Sequence, residues 1–293
     1  MPFEPPTSDA PPASPRPWPF SVVILTLNEE GNLPRCLSSL SGCNDIVVVD
    51  SGSTDRTVAI AEQRGARVLV RPFDNFAGQR NFAQLEIPFR HSWVFHLDAD
   101  EEFTPQLALA CADAASASAS DPLTGYYVAP KMYFEGRWIP HCTDYPAWQA
   151  RYVRARRFTF IEVGHGQREG PGERMGKLTA SYLHDLSREG SEGWLAKHRR
   201  YAVAEARHTR ENSAPLPLGA LLAGDALSRR RALKRWSARL PFRPAARFIY
   251  QYILRGGFLD GRAGFHYCQL LARYEGFIVQ EERASARGTA IRP

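Results

Sequence analysis

The sequence Ile46-Val-Val-Val-Asp50-Ser-Gly-Ser-Thr-Asp55 decides the fold of this chain. Its first four residues are all β-branched and predict a buried strand, whereas the Ser-Thr-Asp at its end is typical of a helix N-terminus. Val58 and Ala61 follow at helical spacing, and Gly65 ends the pattern. A buried strand that leads directly into a helix is the repeating unit of a parallel sheet covered by helices.

The same alternation extends on both sides of this segment. Between the first two strands, Leu33, Leu37 and Leu40 recur at helical spacing. The sequence therefore predicts an α/β fold with a mostly parallel sheet flanked by helices. The predicted strands are Phe20–Leu25, Asp45–Val49, Ala66–Val70 and Trp93–Leu97.

Beyond residue 103 the pattern becomes more varied. The predicted elements are a helix over Thr104–Ser118, a hairpin over Gly125–Ile139 that turns at Glu135-Gly136, a strand over Trp148–Val153, a mobile loop over Gly164–Gly176, a strand over Lys177–Leu183 and a helix over Glu192–Thr209. Two prolines in Asn212–Gly219 indicate a linker.

These elements suggest a domain organisation in four parts. We expect a disordered Pro-rich tail (1–19), an α/β domain (20–211), a helical basic C-terminal segment (212–283) and a short tail (284–293).

Composition narrows the environment and the partners. The five cysteines form no CxxC pair, no apolar run reaches membrane-spanning length, and the Pro-rich start does not resemble a signal peptide. We therefore expect a cytoplasmic protein. The net charge of +6 includes eight Lys/Arg residues between Arg229 and Arg247. This segment suits either an interfacial helix on an anionic membrane or a solvated helix packed on the protein, and no nucleic-acid-binding motif accompanies it.

The segment His96-Leu-Asp-Ala-Asp100 carries the strongest chemical signal. Asp98 and Asp100 follow a buried strand at positions i and i+2, so in extended backbone both carboxylates point to one side. Two such carboxylates can share a divalent cation with a diphosphate. The alternative is a solvated acidic turn at the end of the strand.

Two further strands end in polar residues at the same predicted edge of the sheet. Asp50 is positioned to bind a base or ribose, but it equally suits an Asx turn before the next helix. Asn28 and Glu29, which follow Val22-Val-Ile-Leu-Thr-Leu, leave the same two alternatives open.

Together these three segments resemble family 2 glycosyltransferases with the GT-A (Rossmann-like) fold, and Gly78-Gln79-Arg80-Asn81 is similar to a further element of that family. The resemblance covers Phe20 to Phe103. It implies that 20–211 is a catalytic domain in which 20–103 binds the donor and 104–211 binds the acceptor. It also implies a nucleotide-sugar donor, a divalent cation (Mg²⁺ or Mn²⁺) and an inverting transfer. The implied donor contacts are Thr26, Leu27, Asn28, Glu29, Asp50, Ser51, Arg80 and Asp98. The implied metal ligands are Asp98, Asp100 and His184, with His165 as a rival.

A narrower resemblance rests on Leu-Asn-Glu-Glu-Gly-Asn at residues 27–32, on Asp-Ala-Asp-Glu, and on the later Gly-Arg-Trp and Asp-Tyr-Pro segments. These look like the lipopolysaccharide core β-glucosyltransferase subgroup. That subgroup implies UDP-glucose as the donor and an inner-core heptose as the acceptor. At Gly164-His165-Gly166 the chain lacks the glutamate that the subgroup leads us to expect, which leaves the catalytic base open.

The base is a carboxylate that removes the proton of the acceptor hydroxyl. Asp144 is the first candidate and Glu169 its main rival, with Glu162 as a further alternative. For function as a whole, the prediction is hexose transfer from a UDP-sugar to a surface-glycan acceptor. The alternatives are transfer onto polyprenyl phosphate, a nucleic-acid-binding protein, and a relative that binds nucleotide without catalysis.

Overall fold

A computed structural model describes residues 17–117, 122–163, 166–188, 190–211 and 242–286. Its central feature is a seven-stranded sheet. The strands of this sheet are β1 (Ser21–Thr26), β2 (Ile46–Asp50), β3 (Arg67–Val70), β4 (Trp93–Asp98), β6 (Gly125–Val128), β9 (Gln149–Arg154) and β12 (Met175–Lys177). Their order across the sheet is β12-β6-β9-β4-β1-β2-β3. β1 pairs in parallel with β2 and β4, whereas β9 runs antiparallel to β4. The predicted parallel α/β sheet is confirmed, and its first four strands lie within one residue of the predicted bounds.

Side chains of alternate residues of β1 enter two different cores. Val22 and Ile24 pack with Leu33 and Leu107 on one face, while Val23 packs on the other. The helices of this part of the chain are α1 (Leu33–Ser38), α2 (Thr57–Gln63), α3 (Phe76–Glu86) and α4 (Pro105–Ala117). Because helices cover both faces, the parallel strands β1 and β2 are mainly apolar, and the carboxyl ends of the parallel strands form a polar edge.

A second sheet has four strands, all of which follow β4 in the sequence. They are β5 (Glu101–Glu102), β7 (Lys131–Phe134), β8 (Arg137–Trp138) and β13 (Leu183–Asp185). Their order across the sheet is β5-β13-β7-β8. The predicted turn at Glu135-Gly136 joins β7 to β8, and both turn residues have positive φ. However, the expected single hairpin over Gly125–Ile139 is wrong, because the chain leaves the first sheet at Pro130 and β6 and β7 belong to different sheets.

The expected mobile loop over Gly164–Gly176 is also wrong for its described residues. β10 (Phe160–Val163) and β11 (Gly166–Glu169) form an antiparallel pair, and β12 begins at Met175. Phe160 anchors this pair, because its backbone exchanges two hydrogen bonds with the Asn81 side chain of α3. The predicted strand over Lys177–Leu183 is instead two strands, β12 and β13, that belong to different sheets.

The chain divides into two compact units. Unit 1 is Met1–Gly136 with Tyr145–Asp185, and unit 2 is Arg137–Asp144 with Leu186–Pro293. The helices of unit 2 are α5 (Gly190–Glu211), α6 (Arg243–Ile249) and α7 (Gly261–Ala286), with a π-helical turn over Tyr250–Leu254 and a 3₁₀ helix over Gly257–Asp260. No helix among the described residues is both long and apolar enough to cross a bilayer.

This division differs from the expected boundary at residue 211. Helix α5 belongs to unit 2 because Ala202 and Ala206 pack against Ile278 of α7. The helical C-terminal segment is present from residue 242 onward. The predicted linker, the basic residues 229–241, most of the Pro-rich tail and residues 287–293 lie outside the described residues.

Candidate functional site

The loops that follow β1 and β2 hold each other by reciprocal hydrogen bonds. Asn28 has φ 56°, and its backbone N–H donates to Ser53 Oγ over 2.8 Å. In return, the Thr54 backbone N–H donates to Asn28 Oδ1 over 2.8 Å. The Glu29 N–H donates to Thr57 Oγ1 at the same distance. Asn28 and Glu29, both predicted donor contacts, therefore first serve to join these loops. Leu27, between β1 and Asn28, is 49% exposed.

Asp50 is buried at the end of β2, and each of its two carboxylate oxygens accepts two hydrogen bonds. Oδ1 accepts from Thr26 Oγ1 and Ser53 Oγ, and Oδ2 accepts from the backbone N–H groups of Gly52 and Ser53. This is the Asx-turn alternative. The proposed contact of Asp50 with a base or ribose would require one of these bonds to be exchanged. Its neighbour Ser51 accepts from Gln79 Nε2 over 3.3 Å.

Asp98, the first aspartate of the Asp-Ala-Asp motif, lies between two arginines. Its Oδ1 accepts from Arg80 Nη2 over 2.8 Å, and its Oδ2 accepts from Arg151 Nη2 over 2.9 Å. Burial alone would raise the pKa of Asp98, but Arg151 and Arg80 outweigh it and lower that pKa to about 2. Asp98 is therefore ionised at neutral pH.

Arg80 enters this cluster from helix α3 and is only 1% exposed. Its Nε and Nη1 atoms are buried without a hydrogen-bond partner. Burial is the main reason that its pKa is lowered, although Asp98 opposes this effect. Because unsatisfied buried donors are costly, a guanidinium with two of them is suited to an anionic ligand such as a diphosphate.

Asp100 pairs with His184 instead of adjoining both arginines. The His184 Nε2 atom lies 3.3 Å from Asp100 Oδ2, and its Nδ1 atom lies 3.8 Å from Glu101 Oε1. Burial would lower the pKa of His184, but Asp100 and Glu101 outweigh burial and raise it to about 9. The predicted metal ligands thus lie side by side, Asp100 in the turn after β4 and His184 on β13.

Asp98 does not complete a three-ligand set with them. Among the residues that the structure describes, no group of three or more His, Cys, Asp or Glu side chains could hold a metal ion. Both Asp98 oxygens are engaged by arginines, so Asp100 and His184 are the pair that fits. One carboxylate with an imidazole is a sufficient protein contribution where a substrate diphosphate supplies further oxygens.

Arg151 and Glu101 complete the cluster, and neither was among the predicted site residues. Arg151 is buried, donates to Glu101 Oε1 over 2.9 Å and to the His96 carbonyl over 3.1 Å, and stacks on Tyr182. Burial raises the pKa of Glu101 to about 7 against the effect of Arg151. The Gln149-x-Arg151 segment was the available signal, because a charged residue in a buried strand requires a partner.

Asp144, the first candidate base, belongs to unit 2. It has φ 59°, and Arg255 Nε lies 2.8 Å from its Oδ1. The preceding turn is held by Asp260, which is 2% exposed and accepts from the backbone N–H groups of His141 and Cys142. Gln251 Nε2 donates to the Cys142 carbonyl. From the segment Arg255–Gly264, Arg255 and Asp260 therefore hold the turn that carries Asp144, together with Gln251.

The rival candidates have different surroundings in unit 1. Glu169 lies on β11 and accepts a hydrogen bond from Tyr127, whose pKa rises to about 12 through burial and this contact. Glu162 is exposed on β10. His165, the rival metal ligand, lies outside the described residues. The identity of the base stays a prediction.

Residues 21–166 match the model of glycosyl transferase family 2. This region is a family 2 glycosyltransferase domain. The domain contains Asp50, Arg80, the Asp98–Asp100 motif and Arg151, whereas His184 and Glu169 lie beyond the matched residues.

Curated relatives match over part of their length. The lipopolysaccharide core biosynthesis glycosyltransferase LpsC of Rhizobium meliloti is 37% identical over 130 residues, which are 40% of this chain and 44% of LpsC. An uncharacterized glycosyltransferase of Rickettsia felis is 44% identical over 89 residues, which are 30% of this chain and 31% of that protein. The alignments thus span less than half of each relative's length.

Solved structures match the fold over most of the chain. The mannosyltransferase PcManGT of Pyrobaculum calidifontis, solved in complex with GDP-Man and Mn²⁺, has a TM-score of 0.52 and 16% identity. The match covers 92% of this chain and 88% of that protein. At this identity the similarity establishes the fold, which is that of a GT-A glycosyltransferase.

Proposed function

We propose that this protein is an inverting glycosyltransferase that moves a hexose, namely glucose, from a UDP-sugar to a bacterial surface-glycan acceptor. The observation that carries the proposal is Asp98, held between Arg80 and Arg151 beside the Asp100–His184 pair at the carboxyl edge of β4. This edge is where open α/β sheets bind nucleotides. Two guanidinium groups next to a carboxylate–imidazole pair suit a diphosphate with a divalent cation.

Asp100 and His184 would hold the cation, Mg²⁺ or Mn²⁺, and His184 would release to solvent the proton that its raised pKa keeps on it. When bound, the cation would neutralise charge that develops on the departing diphosphate. Arg80, buried beside Asp98, would contribute in the same direction through its positive charge. Asp98 would keep the guanidinium groups of Arg80 and Arg151 in position. A direct role of Asp98 as a metal ligand remains a prediction that requires loss of an arginine contact.

The reaction is a single displacement. A carboxylate, with Asp144 as the first candidate and Glu169 as the rival, takes the proton of the acceptor hydroxyl. That oxygen attacks the anomeric carbon from the face opposite the diphosphate, so a new glycosidic C–O bond forms while the C–O bond to UDP breaks. UDP leaves with the bonding electron pair, and the anomeric configuration is inverted.

The sugar and the acceptor rest on similarity to relatives. The partial match to LpsC favours the lipopolysaccharide inner core as the acceptor. A cytoplasmic enzyme at the inner face of the membrane would meet such an acceptor while it is still being built. Acceptor assays with inner-core oligosaccharide and with polyprenyl phosphate separate this proposal from the alternative acceptor.

The test is a donor screen that measures nucleoside diphosphate released from UDP-glucose, UDP-galactose, GDP-mannose and UDP-N-acetylglucosamine. The assays contain Mn²⁺, Mg²⁺ or a chelator. We expect turnover of UDP-glucose that the chelator abolishes. Turnover of a different donor would correct the sugar, and absence of turnover and binding with every donor would refute the proposal.

Asp100→Asn tests the cation site in the same assay. We expect a loss of turnover of about a hundredfold or more, because a preorganised charge at the diphosphate is removed. Asp113→Asn, which changes an exposed aspartate of α4, is the matched control and should leave turnover unchanged. Unchanged turnover in Asp100→Asn would remove Asp100 from the proposed site.

A further inference from the structure

Unit 2 carries a set of large apolar side chains on its surface. We call Ile249, Ile253, Leu254, Phe258 and Leu259 the C-terminal ridge. Each member is at least half exposed, and Leu254 is 73% exposed. Scattered exposed apolar residues are ordinary, but five within eleven positions of one chain segment are a feature that requires a partner.

The ridge is built on a rigid base. Ile249 and Ile253 are one helical turn apart, at the junction between α6 and the π-helical turn. Gly256 then adopts φ 76° and turns the chain into the 3₁₀ helix that carries Phe258 and Leu259. Beneath them, the Tyr252 ring contacts the rings of Phe248, Phe258 and Phe265 at centroid distances of 5.2, 6.4 and 5.5 Å. The backbone that carries the ridge is therefore held in place by packed aromatic rings, while the ridge side chains remain exposed.

An open apolar groove adjoins the ridge. Its volume is about 460 Å³, and Ile249 belongs to both features. The groove is lined mainly by apolar side chains of α6 and α7, including Pro244, Phe248 and Ala272, and Arg273 also borders it. A groove of this composition fits a hydrocarbon chain beside an anionic group.

Arginines outnumber acidic residues in the part of the chain that carries the ridge. Residues 242–286 contain six arginines and four acidic residues, and two of the latter, Glu275 and Glu282, pair with Arg243. Asp260 is 2% exposed, and its carboxylate accepts hydrogen bonds from His141 and Cys142. Arg255 is exposed but pairs with Asp144, whereas Arg262, directly after the ridge, and Arg273, at the groove, are exposed and form no ion pair among the described residues. The sequence of residues 229–239 adds six further Lys/Arg residues upstream.

We propose that the C-terminal ridge inserts into the interface of an anionic phospholipid bilayer, with an acyl chain in the adjoining groove and lipid phosphates on the arginines. Apolar side chains bordered by arginines match the two layers of such an interface, hydrocarbon below and anionic headgroups above. A nucleic acid would match the arginines but would leave the ridge exposed to water. A second copy of this chain would bring two basic surfaces together.

The test is sedimentation of the full chain with vesicles of phosphatidylcholine, with and without phosphatidylglycerol. The ridge variant combines Leu254→Ser and Phe258→Ser, two exposed positions. Leu85→Ser, which changes a 61% exposed leucine of unit 1, is the matched control. Arg262→Glu tests the charge, and circular dichroism verifies that each variant is folded.

We expect the wild type and Leu85→Ser to bind the vesicles that contain phosphatidylglycerol, more weakly as salt is raised. The ridge variant should bind at least about tenfold more weakly, because two large apolar side chains no longer leave water. Arg262→Glu should also weaken binding. UDP-sugar hydrolysis without vesicles should be the same in wild type and variants, so this test is independent of the proposed activity.

Three results would overturn the proposal. One is vesicle binding by the ridge variant equal to that of the wild type. Another is absence of wild-type binding to either vesicle. The third is a wild-type dimer, seen by light scattering, that the ridge substitutions convert to a monomer without any effect on vesicle binding.

Discussion

The Nη2 atom of Arg151 lies 2.9 Å from the Oδ2 atom of Asp98. The same nitrogen lies 2.9 Å from Glu101 Oε1, and the Glu101 Oε2 atom accepts from the Asp98 backbone N–H. One buried guanidinium on β9 thus fixes both the side chain and the backbone of the Asp-Ala-Asp turn. The orientation of this turn depends on a charge that is 53 residues away in the sequence.

Replacing Arg151 should therefore destabilise the protein strongly. Arg151→Met would leave Glu101 buried beside Asp98, and among the described residues only His184, 3.8 Å away, would then pair with it to oppose its charge. We expect a decrease of about 3 to 5 kcal/mol in the free energy of unfolding, measured by urea titration. Arg35→Gln is the control. It removes an ion pair between Arg35, whose side chain is 49% exposed, and Glu102, whose side chain is 22% exposed, and it should lower the free energy of unfolding by less than about 1 kcal/mol. Equal losses in the two variants would contradict this interpretation.

The catalytic base can be identified by three isosteric substitutions. Asp144→Asn should slow glycosyl transfer by about 10² to 10⁴, the usual contribution of a general base, with little change in donor affinity. Glu169→Gln and Glu162→Gln should retain most of the activity. The measurement is UDP release with the donor that the screen identifies. A large loss only in Glu169→Gln would assign the role to β11 instead.

Stability should depend on pH through Asp45. Burial alone would raise the pKa of Asp45, but hydrogen bonds from Ser21, the Arg90 backbone and Arg67 outweigh it and lower the pKa. A lowered pKa stabilises the fold above the unfolded value of about 3.9, and this stabilisation is lost as pH falls through the folded value. Asp45→Asn should therefore cost about 2 kcal/mol at neutral pH and progressively less in acid.

Urea unfolding of wild type and Asp45→Asn at a series of pH values would measure this effect. Asp113→Asn, at an exposed position, should show no such dependence. A difference between wild type and Asp45→Asn that stays constant into acid would show that the carboxylate charge is not what stabilises this contact.

Two glycines of helix α7 should respond in opposite directions to alanine. At Gly264 a Cβ would lie 2.3 Å from the Gly257 carbonyl oxygen, so Gly264→Ala should destabilise the protein by about 3 kcal/mol. At Gly276 a Cβ would have an ordinary contact 3.7 Å from Pro244, so Gly276→Ala should add about 0.5 to 1 kcal/mol. Thermal unfolding of both variants measures the contrast. A stabilising effect at Gly264 would mean that the two backbones can separate freely.

The sequence predicted β1 to β4 well because each of these strands is mainly apolar, and because β1, β2 and β3 are each followed by a helix. Val47, Val48 and Val49 are all completely buried, as a parallel strand covered on both faces requires. The shorter strands after residue 125 were harder to predict. Gly166–Glu169 reads Gly-Gln-Arg-Glu and has no apolar alternation, yet it is a strand because it pairs with β10.

The candidate site was predicted in part. Asp100 and His184 lie together although they are far apart in the sequence, as the family resemblance implied. Asp50, in contrast, has both oxygens engaged within its own turn, and local pattern could not distinguish that turn from a ligand contact. Arg151 and Glu101 were missed because both are buried in the fold. The short sequence around each charged residue does not indicate that burial.

The hydrogen bonds between the loops after β1 and β2 limit how one loop can be changed without the other. Asn28, Glu29 and Glu30 each donate a backbone N–H to a side chain among Ser53, Thr57 and Asp55. The side chains of Asn28 and Glu30 accept in the opposite direction. Each of these bonds joins a backbone N–H of one loop to a side chain of the other, so loss of an acceptor side chain in either loop leaves a backbone donor of the other without its partner. A chimera that takes one of these loops from a homologue should therefore take the other loop from the same protein.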